Sequence, residues 1–172
     1  ALHPFKVESA IILAAGLSSR FAPISYEKPK GLLRVRGEVL IERQIRQLQE
    51  VGISNITIVV GYKKEYFFYL ESKFGVSIVV NSEYAEKNNN ASLYLVRDRL
   101  SNTYVCSSDD YFTENPFEAY VWKAYYAAQW SEGPTKEWCM ATGSNNRIVD
   151  VTVGGMHAWY MLGHAYFDRA FS

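Results

Sequence analysis

Small and cationic residues are concentrated between positions 13 and 33, in the segment LAAGLSSRFAPISYEKPKGLL. Small side chains let backbone N–H groups approach anionic oxygens closely, and serine hydroxyls add further donors. Arg20 offers a forked cation and Lys30 a compact one, and both suit phosphate groups. The segment therefore predicts a site for a nucleoside triphosphate. Its candidate binding residues are Leu13, Ala14, Ala15, Gly16, Ser18, Ser19, Arg20 and Lys30.

The same segment has a plainer interpretation, in which AAG is a tight turn after a strand and the two cations are solvated surface charges. The order of strand, AAG, Ser-Ser-Arg and KPK favours the phosphate site, because it brings several donors after the first strand of an α/β chain. Neither GxGxxG nor GxxxxGK[ST] occurs, which argues against a dinucleotide-binding Rossmann domain and a P-loop.

Two adjacent carboxylates, Asp109 and Asp110, follow the apolar run YVC in the segment SSDDYF. This position is the carboxyl end of a predicted strand, where open α/β sheets bind their ligands. A divalent ion offsets the charge of a triphosphate, and Mg²⁺ prefers one or two carboxylates together with phosphate oxygens. Asp109 is therefore the candidate Mg²⁺ ligand. The alternative is that the pair caps a turn.

Asparagines precede a predicted helix in the segment NNNASLYL. An amide both donates and accepts hydrogen bonds, as reading the edge of a nucleobase requires, but asparagine before a helix is also a common cap. Both interpretations of Asn89 and Ser92 stay open. His157 and His164 lack a third ligand at metal spacing, and we expect both to be structural.

The composition indicates one compact domain, since 48% of the 172 residues are hydrophobic. Eighteen basic residues balance eighteen acidic ones, so no broad field attracts nucleic acid or an acidic membrane. No apolar run approaches the roughly 18 residues that cross a bilayer. We expect a cytoplasmic protein without membrane insertion. Cys106 and Cys139 are expected to be buried, reduced thiols, with a disulfide as the alternative.

The first half of the chain alternates strand-like and helical patterns. Apolar runs predict strands, and apolar residues repeating at three and four predict helices. This alternation predicts an α/β domain with right-handed crossovers. The predicted strands are 10–13, 56–60, 76–80 and 104–106, and the predicted helices are 40–51, 66–74 and 92–100.

The second half changes character after Asn115. Its first part, FEAYVWKAYYAAQW, predicts an aromatic-rich helix with Trp122 and Trp130 in a core or interface. Three strand-like pieces follow at 137–142, 147–153 and 157–163, separated by turn residues. We expect antiparallel additions here. Residues 1–9 are interpreted as a linker or the end of an upstream segment, and 10–172 as one domain truncated at its C-terminal end.

The motifs LAAGLSSRF and EKPKGLL resemble the signature of the nucleotidyltransferase superfamily. With LIERQI, IVVGY, NNNASLYLV and SDDYF, the chain resembles the bacterial CTP:phosphocholine cytidylyltransferases from about residue 10 to residue 168. The resemblance implies a Rossmann-like nucleotidyltransferase fold, a mainly parallel mixed sheet flanked by helices, with antiparallel additions in the C-terminal half. Ser18 departs from the family pattern, because many members carry glycine there.

The resemblance also implies roles for individual residues. The loop 14–20 and Lys30 would hold the triphosphate, and Asp109 would bind Mg²⁺ beside Asp110, a position often filled by Asn. Asn89 and Ser92 would contact the nucleotide. The quaternary ammonium of choline has no hydrogen to donate, so a protein must recognise it with aromatic faces, to which a carboxylate can be added. Trp138 matches a family aromatic associated with choline, and Trp159 and Tyr160 are further candidates. A second metal-binding acid of the family would follow Ser172.

These expectations combine in a cytidylyltransferase that moves CMP from CTP to phosphocholine, giving CDP-choline and pyrophosphate. Lys30, Arg20 and Asp109 would be its catalytic residues. The alternatives are a sugar-1-phosphate nucleotidyltransferase with the same donor half and a non-catalytic nucleotide-binding module. The sequence does not indicate the oligomeric state.

Overall fold

The computed structural model describes residues 2–16, 27–85 and 89–171, and its centre is a mixed sheet. Within these residues the sheet has eight strands, with the order β5-β4-β1-β6-β10-β8-β9 and with β7 paired to β10. Its strands are β1 (Ser9–Ala14), β4 (Ile56–Val60), β5 (Ser77–Val80), β6 (Thr103–Ser107), β7 (Tyr125–Ser131), β8 (Thr135–Thr142), β9 (Ile148–Gly155) and β10 (Ala158–Phe167). A separate hairpin pairs β2 (Arg34–Val35) with β3 (Glu38–Val39), and the helices are α1 (Leu40–Glu50), α2 (Tyr69–Phe74) and α3 (Asn89–Leu95).

The parallel half of the sheet is confirmed where the sequence predicts it. Strand β1 lies between β4 and β6 and pairs with both in parallel, so all three carboxyl ends meet at one edge. Each of these strands is buried on both faces, which explains their nearly continuous apolar sequence. The buried hydroxyls of Ser9 and Thr103 share a hydrogen bond of 2.8 Å across the first pair of this register.

Helix α1 has the predicted amphipathic pattern. Its apolar face is fully buried against the sheet, and Gly52 follows it with a φ of +84°, which suits the left-handed end of a helix. The two later helices are shorter than predicted. Helix α2 begins at Tyr69 because a 3₁₀ turn occupies Lys64–Tyr66, and α3 ends at Leu95 before a second 3₁₀ turn at Arg97–Arg99.

The predicted helix over 117–130 is wrong. Residues 125–131 form strand β7, which pairs antiparallel with β10. Upstream of it, Tyr120 bridges to Lys6 and the Val121 amide donates to the Phe5 carbonyl. Tyrosine and tryptophan favour strands, and a free edge of β10 offered a partner that local spacing does not reveal. Trp122 is consequently 77% exposed and stacks on Phe5 rather than lying in the core.

The three predicted C-terminal strands are confirmed as β8, β9 and β10, and all their mutual pairs are antiparallel. Strand β10 joins them to the parallel half through its antiparallel pairing with β6. Cys106 and Cys139 are both buried and unpaired, as predicted. Among the described residues, no helix is long and apolar enough to span a bilayer.

The junction between β6 and β10 contains a buried histidine. His164 lies opposite Cys106 in the sheet, and its Nε2 shares a hydrogen bond of 2.7 Å with the Tyr125 hydroxyl. The rings of Phe112 and Phe117 pack edge-on or tilted against the imidazole. Burial lowers the pKa of His164 to about 4, so the folded protein holds it neutral. This agrees with the predicted structural role.

The buried imidazole makes stability depend on pH. The unfolded chain protonates His164 near pH 6.5, whereas the folded chain does so only near pH 4, so stability is lost as the pH falls through this window. Between pH 7 and pH 5 the loss from this one group is about 2 kcal/mol. Urea unfolding at several pH values should show a flatter dependence for His164→Phe than for the wild type. An exposed-histidine variant, His157→Asn, serves as control, and parallel curves for all three proteins would contradict the assignment.

Candidate functional site

A lysine and a carboxylate meet at the edge where the parallel strands end. Lys30 Nζ lies 3.4 Å from Asp109 Oδ2, and the Ser107 hydroxyl donates to Asp109 Oδ1 at 2.7 Å. The side chains of Lys30 and Asp109 are 19% and 36% exposed, so both reach solvent. The pair joins two segments that are 79 positions apart in the chain. The structure thus brings together the two residues that the sequence selected separately.

Lys30 is positioned by a short 3₁₀ turn, Lys30–Leu32, which follows Pro29. The next residue, Gly31, packs directly on Ser108, which precedes Asp109. A Cβ at Gly31 would lie 2.8 Å from the Cβ of Ser108, a distance that side chains do not adopt. Because Gly31 has no side chain, the lysine turn can approach Asp109 closely. Leu32 anchors the other end of the turn in the core.

The first part of the predicted phosphate loop leads away from the same edge. Ala14 and Ala15 are buried, whereas Gly16 has open space where a side chain would be. The Ala15 carbonyl accepts a hydrogen bond from the Tyr62 amide, and the Leu13 carbonyl accepts one from the Ser108 amide. These bonds attach the start of the loop to both neighbouring strand ends. Ser18, Ser19 and Arg20 lie outside the described residues.

Asp110 points the opposite way from Asp109, into the protein. Burial, and then the neighbouring Asp109 charge, raise the pKa of Asp110 to about 6. Its Oδ2 is buried and has no hydrogen-bond partner among the described residues. Gly163 of β10 lies against this carboxylate and against Ser107. The two acids therefore differ in environment, since Asp109 faces the solvent side of the edge and Asp110 faces the sheet.

Polar side chains of helix α1 hold the segment 107–114, which contains Asp109. These side chains were not among the residues predicted from the sequence. Gln44 Nε2 donates to the carbonyls of Ser107 and Asp110, and Gln47 Nε2 donates to those of residues 112 and 114. Arg43 also donates to two carbonyls of the same loop. The sequence feature that indicates such a role is a pair of glutamines one turn apart, Gln44 and Gln47, among the apolar residues of the helix.

Ser92 is 2% exposed, and its hydroxyl accepts a hydrogen bond of 2.9 Å from Asn81 Nδ2. Asn81 directly follows β5, so this bond fastens α3 to the carboxyl edge of the sheet. Asn89 is the first residue of α3. The arrangement brings the beginning of α3 to the edge that carries Lys30 and Asp109. The predicted nucleotide contacts of Asn89 and Ser92 stay predictions.

The predicted acceptor aromatics divide between two faces of the outer sheet. Trp159 pairs with Met140, so it shares a face with Trp138, two residues earlier in β8. Tyr160 pairs with Cys139 and lies on the opposite face. Trp138 and Trp159 are 56% and 46% exposed, which leaves their rings open to a ligand. Trp159 lies four residues from Gly163, roughly 13 Å along an extended strand.

The donor set at Asp109 suits Mg²⁺. Within the part of the chain that the structure describes, no group of three or more His, Cys, Asp or Glu side chains could by itself hold a metal ion. Mg²⁺ keeps several waters and needs only one or two carboxylates with phosphate oxygens, which a solvent-facing Asp109 can supply.

A parallel sheet with a small-residue loop after its first strand, and a lysine and a carboxylate at the same edge, defines a nucleotide-binding α/β domain of the nucleotidyltransferase class. Comparison with known proteins agrees. Residues 10–142 match the family model for the MobA-like NTP transferase domain. The chain belongs to this family.

Two similar proteins come from bacteria. Choline-phosphate cytidylyltransferase of Streptococcus pneumoniae is 41% identical over 159 residues, which is 92% of this chain and 69% of that protein. A 2-aminoethylphosphonate cytidylyltransferase of Lancefieldella rimae is 37% identical, over 93% of this chain and 67% of the relative. The solved structure of the pneumococcal CTP:phosphocholine cytidylyltransferase superposes with a TM-score of 0.90 at 40% identity, covering 94% of this chain and 71% of that one. The predicted nucleotidyltransferase fold is confirmed.

The contact of Gly163 with Ser107 and Asp110 predicts that a larger side chain at this position lowers the stability of the protein. A Cβ at this position would lie 2.4 Å from the Cβ of Ser107 and 3.0 Å from Asp110 Oδ2. Gly163→Ala should destabilise the protein by about 1–3 kcal/mol, because β6 and β10 must separate. Gly133→Ala is the control, since nothing lies within 4 Å of a Cβ there. Chemical denaturation measures both, and equal stabilities for the two variants would refute the predicted clash.

Proposed function

We propose that this protein transfers the CMP group of CTP to the phosphate of phosphocholine, forming CDP-choline and releasing pyrophosphate. The observation that carries the proposal is the Lys30–Asp109 pair at the carboxyl edge of the parallel sheet, beside the small-residue loop. The likeness to the pneumococcal choline-phosphate enzyme supports the choice of both substrates.

The reaction needs little proton transfer, because the attacking phosphate oxygen of the acceptor is already anionic. It attacks the α-phosphorus in line, and the bond to the pyrophosphate oxygen breaks. Charge neutralisation and positioning then supply the catalysis. Lys30 Nζ would balance charge at the α-phosphate, and Arg20 with the loop amides would hold the β- and γ-phosphates. Asp109 would hold Mg²⁺, which when bound offsets charge on the triphosphate.

Asp109 is prepared for this role by its neighbours. The Ser107 hydroxyl fixes one carboxylate oxygen, and Lys30 lies beside the other. The lysine would thus serve two partners in turn, the carboxylate before substrate binds and the phosphates afterwards.

Recognition of the acceptor would use the exposed tryptophan face of the outer sheet. A quaternary ammonium is attracted to the face of an aromatic ring, most strongly to tryptophan. Trp138 and Trp159 share one face and are open to solvent, which supports them as choline contacts. Tyr160, on the other face, would act in a separate contact.

A second candidate acceptor is 2-aminoethylphosphonate, which the similarity to the Lancefieldella rimae enzyme favours. Its primary ammonium has three hydrogens to donate, so oxygen acceptors would recognise it better than rings. The two acceptors share a phosphorus-bound anionic oxygen as the nucleophile. They differ in the link to phosphorus, which is an ester oxygen in phosphocholine and a direct carbon bond in the phosphonate, and in the cationic end. The cationic end is the part that faces the tryptophans in the proposal.

Pyrophosphate release measured with different substrate pairs tests the proposal. We expect turnover with CTP and phosphocholine, and much weaker turnover when UTP or dTTP replaces CTP. Preferential use of 2-aminoethylphosphonate would establish the second candidate, and use of a hexose 1-phosphate alone would establish a sugar-phosphate enzyme. CTP binding without turnover of any acceptor would identify a non-catalytic module.

Removal of either charged partner should abolish most of the activity. Lys30→Ala and Asp109→Asn should each lower kcat by about 100-fold or more, because a preorganised charge at the triphosphate is lost. The Asp109 variant should also lose its response to added Mg²⁺. Lys123→Ala and Asp98→Asn, at exposed positions, are matched controls that keep wild-type rates. A wild-type Mg²⁺ response in Asp109→Asn would exclude this residue as the metal ligand.

A further inference from the structure

We propose that Gln44 is a positioning residue that fixes the metal-binding orientation of Asp109. The inference rests on the proposed function, since it assigns a role toward the same Mg²⁺ site. The inference adds Gln44 of helix α1 to the residues that form this site. Gln44 is only 1% exposed, so it does not reach the solvent-facing side of the edge itself.

The geometry of one amide group carries the argument. Gln44 Nε2 donates to the Ser107 carbonyl at 2.8 Å and to the Asp110 carbonyl at 2.9 Å. These two carbonyls belong to the first and last residues of the four-residue segment that contains Asp109. Both protons of a single NH₂ group therefore bind the two ends of this segment. The separation of its ends is fixed by a rigid planar amide on a buried helix.

The middle of the segment is restrained from two other directions. The Ser108 amide donates to the Leu13 carbonyl of β1, and Gly31 of the lysine turn packs on the Ser108 side chain. Together with Gln44, these contacts leave Asp109 as the outermost residue of a segment held by β1, α1 and the lysine turn. A metal ligand must be held within about 0.5 Å of its productive position, and buried partners of this kind provide such restraint.

The cost of burying Gln44 indicates what its amide does. Its Oε1 is buried and has no hydrogen-bond partner among the described residues, which is unfavourable for a polar atom. Turning the amide over would place that oxygen against two carbonyl oxygens and break both hydrogen bonds. The observed orientation therefore gives the carbonyls of Ser107 and Asp110 a donor. It leaves the Gln44 side-chain oxygen without a partner among the described residues.

Gln47 provides a matched control one helical turn away. It is also buried, its Oε1 also lacks a partner among the described residues, and its Nε2 also donates to two carbonyls. These carbonyls belong to Phe112 and Glu114, beyond the acid segment, and both bonds are 3.3 Å long. Arg43 binds the same stretch, so the loss of Gln47 is shared. The two glutamines thus differ in what they hold.

The test compares Gln44→Met and Gln47→Met, which remove the same donors from the same helix. The measured quantity is the ratio of the CTP dissociation constant in EDTA to that in excess Mg²⁺, without acceptor, by calorimetry. In the wild type Mg²⁺ should tighten CTP binding. We expect Gln44→Met to reduce this ratio about tenfold, as loss of a partner behind a metal ligand does. Gln47→Met should change it less than twofold.

Activity and folding provide the second measurement. The Mg²⁺ concentration for half-maximal turnover should rise about tenfold in Gln44→Met, with the maximal rate largely recovered at high Mg²⁺. Circular dichroism melting checks that both variants fold. An unchanged ratio in a folded Gln44→Met protein, or equal changes in both variants, would overturn this inference alone. A wild-type protein whose CTP affinity ignores Mg²⁺ would overturn the metal site and the inference together.

Discussion

The parallel register of β1 with β4 and β6 is the constraint on which the site depends. It places Leu13 opposite Ser107 and Ala14 opposite Val60, so three chain segments leave the sheet at one edge. The loop after β1, the segment 107–110 at the end of β6 and the residues after β4 and β5 then lie at the same edge. A slip of one residue would reverse the faces of a strand that is buried on both sides. The interior packing of the sheet therefore fixes the register, and the register fixes the site.

The features that the sequence predicted are those whose cause is local. Strands β1, β4 and β6 are continuous apolar runs because helices and loops cover both faces of the sheet. Such runs can be recognised in the sequence without knowing which strands pair with them. Asp109 follows one of these runs directly, and Lys30 lies in a turn defined by its own proline and glycine. A residue at the end of a recognisable element can be located before the fold is known, because the element carries it to the edge.

The features that the sequence missed depend on distant partners. The sequence predicts the end of a helix at 125–130, yet residues 125–131 form a strand because they pair with β10. The faces of Trp159 and Tyr160 follow from pairing with β8, which local spacing does not fix. Gln44 is an ordinary helix residue until its contact with carbonyls 63 and 66 positions away is known. In each case a non-local hydrogen bond overrides the local pattern.

The central sheet changes from parallel to antiparallel pairing at β6 with β10, and this junction links the proposed metal side to the proposed acceptor side. Strand β6 ends in the acid segment, while β10 carries Trp159 at its other end. Between them, Gly163 touches Asp110 and His164 packs among aromatic rings, so no space separates the two halves. A shift of the outer strands on binding an acceptor would therefore press on Ser107 and Asp110. Such a shift would also strain the two hydrogen bonds that Gln44 donates from α1, because these end at the carbonyls of the same two residues.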